Sequence, residues 1–207
     1  MKGIKFLVIA GVLLTTITVS VQTAPDTTLT PPEQVGLIYM RQSEKLERDV
    51  YLDLADTWNI PIFDSIANNE QNHMDSILGL LNKYGLADPV AGLEPGDFQD
   101  PILARRYRSS ITQGEVSIVY ALSVAAETEE ISIGDLILRI TQSNKRDIKD
   151  VYNNLRLASA NHLRAFVAEL SRRGISYRPQ HLAPALYKII VYGYGNGRRP
   201  NRIPSGM

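Results

Sequence analysis

Acidic and imidazole side chains occur in this chain at helical positions where the surrounding pattern is apolar. Glu70 and His73 lie three residues apart in the segment N-N-E-Q-N-H-M-D at 68–75. Around them, apolar residues recur every three or four positions, as on the buried face of a helix: Phe63, Ile66, Ile77, Leu80 and Tyr84. A buried acid is costly unless it is paired or binds a metal. The spacing therefore predicts either a polar pair or a pair of metal ligands inside a helical core.

The same interruption occurs in three other segments with helical spacing. Glu44 interrupts the first of them, Glu129 the third and His162 the fourth. In a helical bundle these side chains would lie at the same height along the bundle axis. That is the arrangement of a carboxylate-bridged metal site, in which two helices each supply a Glu and two supply Glu-x-x-His. One Glu-x-x-His match is a weak signal, but its register with three other buried acids and imidazoles is a much stronger one.

The helices that must position these residues are predicted from start and stop signals. The segment T-P-P-E at 30–33 is a capping box with proline at the first helical position, and N-I-P at 59–61 ends that helix. Gly85 ends the second helix, since glycine commonly follows a helix end. A short helix is expected over about 102–113.

A third long helix is expected over about 117–142, and a fourth after the cap candidates Ser143 and Asn144, ending at Gly174. No run alternates as a strand would. The predicted fold is all-α: a four-helix bundle with a short helix in the crossover between the two helix pairs.

The N-terminus has the pattern of a secretory signal. Lys2 and Lys5 precede an apolar run from Phe6 to about Val21. We therefore expect residues 1–24 to be a signal peptide or, alternatively, an uncleaved N-terminal anchor, which would be the chain's contact with a membrane. The protein is expected to be exported, as a secreted, periplasmic or envelope-associated protein.

The remaining domain boundaries follow from composition. Residues 25–32 are a polar, proline-rich linker, and residues 33–182 form the bundle. Residues 183–207 are a C-terminal tail, whose apolar part L-Y-K-I-I-V-Y could dock on the bundle.

Composition narrows the partners and the donor atoms. The 22 basic and 22 acidic residues give a formal net charge of zero, and no basic run precedes the last few residues, so nucleic acid is not an expected partner. Without cysteine, thiolate metal sites and cysteine nucleophiles are excluded, so a metal would be held by carboxylate and imidazole. The third histidine, His181, lies outside the apolar patterns.

A homodimer is compatible with the sequence, and the electron donor of any redox reaction is left open.

Four motifs carry a resemblance to a known family. They are E-K-L-E-R-D-V-Y at 44–51, N-N-E-Q-N-H-M-D at 68–75, T-E-E-I-S-I-G-D-L at 128–136 and N-H-L-R-A-F at 161–166. Together they resemble a ferritin-like family of unknown function over about residues 34–182. Glu44 followed by Tyr51 is also similar to the first helix of ferritins, and Glu70 with His73 to the second. The resemblance implies a ferritin-like bundle with a non-haem iron site of one or two ions, with manganese or zinc as alternatives.

Two departures from the ferritin-like pattern affect the ligand set. Ser159 stands where a second Glu-x-x-His would have its Glu, and Ser132 stands where an Asp is expected. The remaining candidate ligands are Glu44, Glu70, His73, Glu129 and His162, with Glu130 as the alternative to Glu129. This set suffices for two metal ions bridged by Glu70 or for one ion, and the sequence does not decide between them.

Three residues are candidates for supporting these ligands. Arg48 could pair with Glu44 one helical turn away, or join Asp49 in an ion-pair network. Tyr51 could donate a hydrogen bond to a ligand or be oxidised, or simply pack in the core. Ser159 could fix the His162 ring by a hydrogen bond.

The leading functional hypothesis is an exported ferritin-like metalloprotein with an oxidase or peroxide-handling activity. The alternative is a metal-free helical bundle with a binding or envelope-structural role, in which the acids and imidazoles form hydrogen-bond networks. Iron storage in a hollow shell is the weaker hypothesis, because residues 85–114 are not expected to form the long ordered crossover of ferritins. No nucleophile elbow, phosphate-binding loop or dinucleotide motif supports a hydrolase, kinase or dehydrogenase.

Overall fold

The computed structural model describes residues 28–193, which form six α-helices and no strands. The helices are α1 Pro31–Trp58, α2 Pro61–Lys83, α3 Pro101–Gly114, α4 Ile118–Gln142, α5 Arg146–Arg172 and α6 Pro184–Tyr192. The all-α prediction is confirmed for this part of the chain. The expected signal peptide or anchor lies outside the described residues, as does the tail beyond Gly193. None of the helices described is long and apolar enough to cross a membrane.

The predicted start of α1 is confirmed, whereas the start of α5 differs from the prediction. The Glu33 carboxylate accepts hydrogen bonds from the Thr30 backbone and hydroxyl, at 2.8 and 2.9 Å. Lys145, rather than Ser143 or Asn144, occupies the N-cap position of α5. Glu33 also accepts from the Ser143 hydroxyl and the Asn144 backbone N–H, at 2.9 and 2.8 Å. A carboxylate from α1 therefore holds the segment that leads into α5, whose first turn has no side-chain cap.

The four long helices pack as two pairs. Only Asn59 and Ile60 separate α1 from α2, and residues 143–145 separate α4 from α5, so each pair is an antiparallel hairpin. The pairs meet where α1 contacts α4 and where α2 contacts α5. The salt bridge from Lys83 near the end of α2 to Asp147 near the start of α5, at 2.6 Å, shows that these two helices are also antiparallel.

The connection between the pairs, residues 84–117, runs along the outside of α1. Near its beginning Asp88 accepts from Arg41, at 2.8 and 3.1 Å, and at its far end the Gly114 carbonyl accepts from the Trp58 indole, at 2.9 Å. Between these points the Lys45 ammonium donates to the Glu94 carbonyl, at 2.8 Å. The connection is therefore an ordered crossover spanning most of α1. As predicted for residues 85–114, a loop and a short helix, α3, join the helix pairs, and buried side chains of α1 anchor the loop that precedes α3.

A layer of polar side chains divides the apolar core. One apolar cluster, around Tyr51, Phe63 and Phe166, lies toward the end of α1, and another, around Met40 and Ile77, lies toward its start. The acids and imidazoles identified in the sequence fall between the two clusters, at the middle of each long helix. The fold thus places four helices around one central polar layer that is sealed by apolar side chains above and below.

The part of the C-terminal tail that the structure describes packs against the bundle. α6 contacts α5, and its Tyr187 is buried in the core. The Arg164 guanidinium of α5 donates to the Ile190 carbonyl, at 2.9 Å. The tail therefore extends the bundle as far as the end of α6.

Candidate metal centre

The centre of the polar layer is the Glu70 carboxylate, which lies between two imidazoles. One of its oxygens is 2.5 Å from His73 Nδ1, and the other is 2.8 Å from His162 Nδ1. Glu70 and His73 share one face of α2 because they are three residues apart, and α5 brings His162 across the bundle. The predicted pairing of Glu70 with His73, and the approach of His162, are both present in the geometry.

Two further carboxylates complete two similar groups around Glu70. Glu44 from α1 lies 3.2 Å from His73 Nδ1, and Glu129 from α4 lies 3.3 Å from His162 Nδ1. The ligand atoms of Glu44, Glu70 and His73 all lie within 4.8 Å of one another, and so do those of Glu70, Glu129 and His162. Each of the four long helices thus contributes to the cluster, and Glu70 belongs to both groups.

The donor atoms of this cluster fit a metal better than they fit one another. Both oxygens of Glu70, one oxygen each of Glu44 and Glu129, and His162 Nδ1 are buried without a hydrogen-bond partner of suitable geometry. Native proteins rarely leave buried polar atoms unpaired. His73 Nδ1 and Glu44, 3.2 Å apart, are aligned for a hydrogen bond, whereas the pairs at 2.5, 2.8 and 3.3 Å are not and converge on shared points instead. Carboxylate oxygen and imidazole nitrogen are donors suited to iron, manganese or zinc.

Charge in the metal-free cluster is concentrated on Glu70 and the two imidazoles. Burial alone would raise the pKa of Glu70, but the imidazoles on either side outweigh it and lower this pKa to about 2. Burial would likewise lower the pKa of His73, but Glu44 and Glu70 raise it to about 10. The pKa of His162 is raised to about 10 against its burial, by Glu129 and Glu70. Without metal, an ionised Glu70 therefore lies between two imidazolium ions at neutral pH.

The outer two carboxylates hold their protons more tightly. Burial raises the pKa of Glu44 to about 7, although His73 opposes the shift, and burial also raises the pKa of Glu129. Such a pKa indicates a carboxylate that lacks enough cationic neighbours to compensate for its lost hydration. A bound cation would supply the missing positive charge.

Tyr51 contacts the cluster directly. Its hydroxyl donates to the Glu129 carboxylate at 2.8 Å, and its ring packs on Phe166 with centroids 5.4 Å apart. Burial, followed by the charge of Glu129, raises the pKa of this phenol well above its ordinary value. Tyr51 is therefore a neutral hydrogen-bond donor that orients Glu129.

Of the two alternatives on α4, Glu129 faces the cluster and Glu130 does not. Glu130 accepts hydrogen bonds from the Tyr177 hydroxyl and from the backbone N–H groups of Gln180, His181 and Leu182, at 2.6 to 3.1 Å. It anchors the segment that leads into α6. In this structure Glu130 is therefore a hydrogen-bond acceptor that holds this segment, and not the alternative metal ligand that the sequence suggested.

Glu47 is a buried acid beside the cluster that the sequence analysis missed. It is fully buried, one of its oxygens has no hydrogen-bond partner, and the other accepts from the Ser43 hydroxyl at 3.3 Å. Burial, followed by the charge of Glu44, raises its pKa well above the ordinary value. Its position could have revealed it, because Met40, Glu44, Glu47 and Tyr51 follow one another in steps of four, three and four.

Of the other two predicted supporting residues, Arg48 makes one of the two contacts that the sequence predicts, the ion pair with Asp49, and Ser159 makes a different one. The Arg48 guanidinium donates to Asp49, at 2.7 and 2.9 Å, and to Gln71, at 2.6 Å, rather than to Glu44. The Ser159 hydroxyl is 3.4 Å from that of Ser132, and both side chains are fully buried. Ser159 therefore pairs with α4 at the level of the cluster instead of fixing the His162 ring.

His181 lies outside the cluster, as its position in the sequence predicts. Its Nε2 is 2.8 Å from the Glu127 carboxylate, and both side chains are partly exposed. Glu127, one of three neighbouring acids on α4, therefore faces the surface rather than the core.

Together, the fold and the cluster define an all-α protein with a buried carboxylate–imidazole layer. Residues 33–193 match the model of a family described as an uncharacterized protein domain, DUF2202, and the chain belongs to that family. It is 41% identical over 171 residues to the uncharacterized protein MJ0754 of Methanocaldococcus jannaschii, covering 83% of this chain and 92% of that one.

The solved structures include a similar fold. A crystal structure of the hypothetical protein MJ0754 from Methanococcus jannaschii matches this chain with a TM-score of 0.79 and 41% identity. The match covers 83% of this chain and 98% of the solved one. The family and the fold are thereby established, while these names leave the activity open.

Proposed function

We propose that this protein is an exported, ferritin-like, non-haem metalloprotein that holds iron, as one or two ions, in the centre of its bundle. Manganese and zinc are the alternative metals, because the same oxygen and nitrogen donors suit them. The proposed ligands are Glu44, Glu70, His73, Glu129 and His162. The proposed activity is that of an oxidase or of a peroxide-handling protein.

The observation that carries this proposal is the position of Glu70 between the two imidazoles. Each of its oxygens lies within 2.8 Å of a different Nδ1, and neither oxygen has a hydrogen-bond partner of suitable geometry. A carboxylate with one oxygen directed to each of two nitrogen-containing groups has the form of a bridge between two metal ions. The paired groups around Glu70 favour two ions over one.

Helix order and connectivity support the ferritin-like part of the proposal. Two antiparallel hairpins are joined by a crossover that follows α1 for most of its length. Ferritin-like folds are four-helix bundles with one such long connection, and their metal ligands project inward from all four helices. Export is proposed from the basic and apolar N-terminal sequence alone.

In this proposal the protein's residues hold the metal, exclude water and manage protons. The apolar clusters on either side of the polar layer keep bulk water away, which strengthens electrostatic interactions within the site. Tyr51 fixes one oxygen of Glu129 by a hydrogen bond, so the other oxygen of this carboxylate remains free to bind a metal ion. When bound, two ferrous ions can supply two electrons, which with two protons reduce one hydrogen peroxide to two waters.

Metal analysis after anaerobic loading with Fe(II) tests the proposal. We expect close to two irons per chain in the mature domain, and loss of most of this iron in Glu70→Gln and His73→Ala variants. The matched control is Glu47→Gln, which changes another fully buried acid beside the cluster. Full iron content in the Glu70 and His73 variants would refute the site. A wild-type chain without metal would favour the alternative, a metal-free bundle with a binding or envelope-structural role.

A further inference from the structure

A groove on the surface of the bundle lies directly over the two imidazoles. It has a volume of about 400 Å³ and opens between α2 and α5. Its lining consists of Asn69, Asn72, His73, Ala158, Asn161 and His162. Among neighbouring long helices, α2 and α5 contact each other the least, and the depression lies between these two helices.

From this side solvent reaches the two imidazoles of the cluster but not its carboxylates. Glu44, Glu70 and Glu129 are 0% exposed, whereas His73 and His162 are 9% and 6% exposed. Both imidazoles direct Nδ1 toward the carboxylates, and the Nε2 atom of His162 lies 3.4 Å from the Asn69 amide nitrogen, at the groove. The two rings therefore form the boundary between the groove and the carboxylates.

The opposite approaches are closed by apolar side chains. The rings of Tyr51, Phe63 and Phe166 pack together on one side of the layer, with centroids 5.4 and 5.8 Å apart for the pairs that include Phe166. Ile77 and Leu155 belong to the apolar cluster on the other side. A small molecule would meet less packed protein through the groove than through either cluster.

The lining of the groove selects by chemistry and by size. It offers asparagine amides and imidazole edges but no carboxylate, lysine or arginine. Amide groups both donate and accept hydrogen bonds, and they attract neither cations nor anions strongly. The imidazole centroids are 5.7 Å apart with an interplanar angle of 24°. Since an atom needs about 3.5–4 Å to each ring face, the rings must move apart by about 1.3–2.3 Å before even a molecule of a few atoms can pass between them.

Building on the proposed function, we propose that this groove is the entrance to the metal centre and admits small, uncharged, hydrogen-bonding molecules of the hydrogen peroxide class. Ala158 sets the width of the entrance, because its small side chain lies in the lining opposite α2. Asn72 supplies an amide to a passing molecule without touching the cluster. Carboxylates would attract a metal cation, and the lining of the groove has none. The groove is therefore an entrance for a reactant rather than for the metal.

The first arm of the test blocks the groove. Ala158→Phe should fill it, and Ala168→Phe, at an exposed alanine further along the same helix, is the matched control. In the iron-loaded protein we measure the rate at which nitric oxide, a small uncharged probe, binds ferrous iron. We expect a rate about tenfold slower in Ala158→Phe, which corresponds to roughly 1.4 kcal/mol of added barrier, and an unchanged rate in Ala168→Phe. Equal rates in the wild type and Ala158→Phe, or equal slowing in both variants, would overturn the proposal.

The second arm tests the class of molecule. Asn72→Leu removes an amide at similar side-chain volume, so it should slow the oxidation of bound iron by hydrogen peroxide and leave the nitric oxide rate unchanged. The difference arises because peroxide gains hydrogen bonds from the amide and nitric oxide does not. An unchanged peroxide rate in Asn72→Leu would refute hydrogen-bond selection at this groove.

A third arm needs no metal and separates this inference from the proposed function. Hydrogen–deuterium exchange at the imidazole C2 carbons of the metal-free protein, followed by mass spectrometry, reports solvent access to His73 and His162. Ala158→Phe should slow this exchange and Ala168→Phe should not. If the protein binds no metal, the proposed function fails, and this exchange still tests the groove. If the exchange rates are unaffected while metal content is normal, the groove inference alone fails.

Discussion

Glu129 and Glu130 are consecutive, fully buried acids on α4 whose carboxylates serve opposite purposes. Glu129 lies 3.3 Å from His162 and accepts from Tyr51, inside the polar layer. Glu130 accepts from Tyr177 and from three backbone N–H groups of the segment before α6. Adjacent helix residues are about 100° apart around the axis, so one acid can face the core and the next can face a docked segment.

The first prediction follows from this division of roles. Glu130→Gln should lower the free energy of unfolding by about 2–3 kcal/mol, because an amide cannot replace a carboxylate that accepts several hydrogen bonds. It should also loosen α6 while leaving the iron content unchanged. Denaturant unfolding, limited proteolysis near the C-terminus and metal analysis would measure these three effects.

The matched variant for comparison is Glu129→Gln. It should lose iron and leave the proteolysis of α6 as in the wild type. If Glu130→Gln were the variant that lost iron while α6 stayed protected, the assignment of the two acids would have to be reversed.

The second prediction concerns two buried acids with opposite pKa shifts. Burial and the charge of Glu44 raise the pKa of Glu47, so it holds its proton more tightly than an exposed acid, and Glu47→Gln should change the stability of the metal-free protein by less than about 1 kcal/mol. Glu70, whose pKa is lowered, is ionised between two imidazolium ions. Glu70→Gln leaves these cations without their anion and should cost about 3 kcal/mol. Chemical denaturation of the metal-free variants at pH 7 would compare them.

Equal destabilisation by the two substitutions would contradict this distribution of charge. Equal loss of iron would instead mean that Glu47 is a ligand as well.

Much of this layer was accessible from the sequence, because burial of a helical face follows a regular period. Glu44, Glu70, His73, Glu129 and His162 were all identified from steps of three and four, and all of them meet in the structure. Glu47 obeys the same period, but it follows Glu44 in a strongly charged segment that resembles an exposed face. The charge pattern there is misleading, since Lys45 and Asp49 form a salt bridge that is itself buried.

Other features depend on contacts between residues far apart in the chain, which periodicity does not encode. The path of the crossover is set by α1 side chains such as Arg41, which holds Asp88 at 2.8 Å. The segment just before α5 is held by the Glu33 carboxylate, more than one hundred residues earlier in the chain. The cap candidates Ser143 and Asn144 gave the right region, but Lys145 occupies the N-cap position.

The third prediction uses the buried hydroxyl pair formed by Ser132 and Ser159. Ser159→Ala should cost about 1–2 kcal/mol of stability, because it leaves the Ser132 hydroxyl buried without its partner. Iron content should be unchanged, since the pair is outside the groups that surround Glu70. Replacing both serines by alanine should restore part of the lost stability. Thermal unfolding of the single and double variants, with metal analysis of each, is the measurement.

If the double variant lost as much stability as the two single variants lose together, or more, the hydroxyls would not stabilise each other. Loss of iron in Ser159→Ala would mean that this hydroxyl supports a ligand after all.

The fourth prediction is the pH dependence of the metal-free protein. The pKa values of His73 and His162 are raised from 6.5 to about 10, so their contribution to stability is complete below pH 6.5 and is lost as the pH rises toward 10. The pKa of Glu70 is lowered to about 2, so its contribution is complete above pH 4.5 and is lost as the pH falls toward 2. Burial raises the pKa of Glu44 to about 7 and also raises that of Glu129, so these two carboxylates lower the stability as the pH rises above 4.5. Stability should therefore be greatest near pH 4.5 and should decline on either side. Thermal unfolding from about pH 3 to 10 would measure this profile, and a His73→Gln, His162→Gln double variant is the control for the imidazole contribution to the decline above pH 6.5.

Metal binding should reverse the alkaline part of this profile. Each imidazole must lose its proton to bind a metal, so binding releases protons and becomes tighter as the pH rises. The increase in melting temperature on adding Zn(II), a redox-inactive probe, should therefore be larger at pH 8 than at pH 6.5. Calorimetry in buffers of different ionisation enthalpy should detect the released protons, and the double variant should release fewer. Binding that releases no protons would place the metal away from His73 and His162.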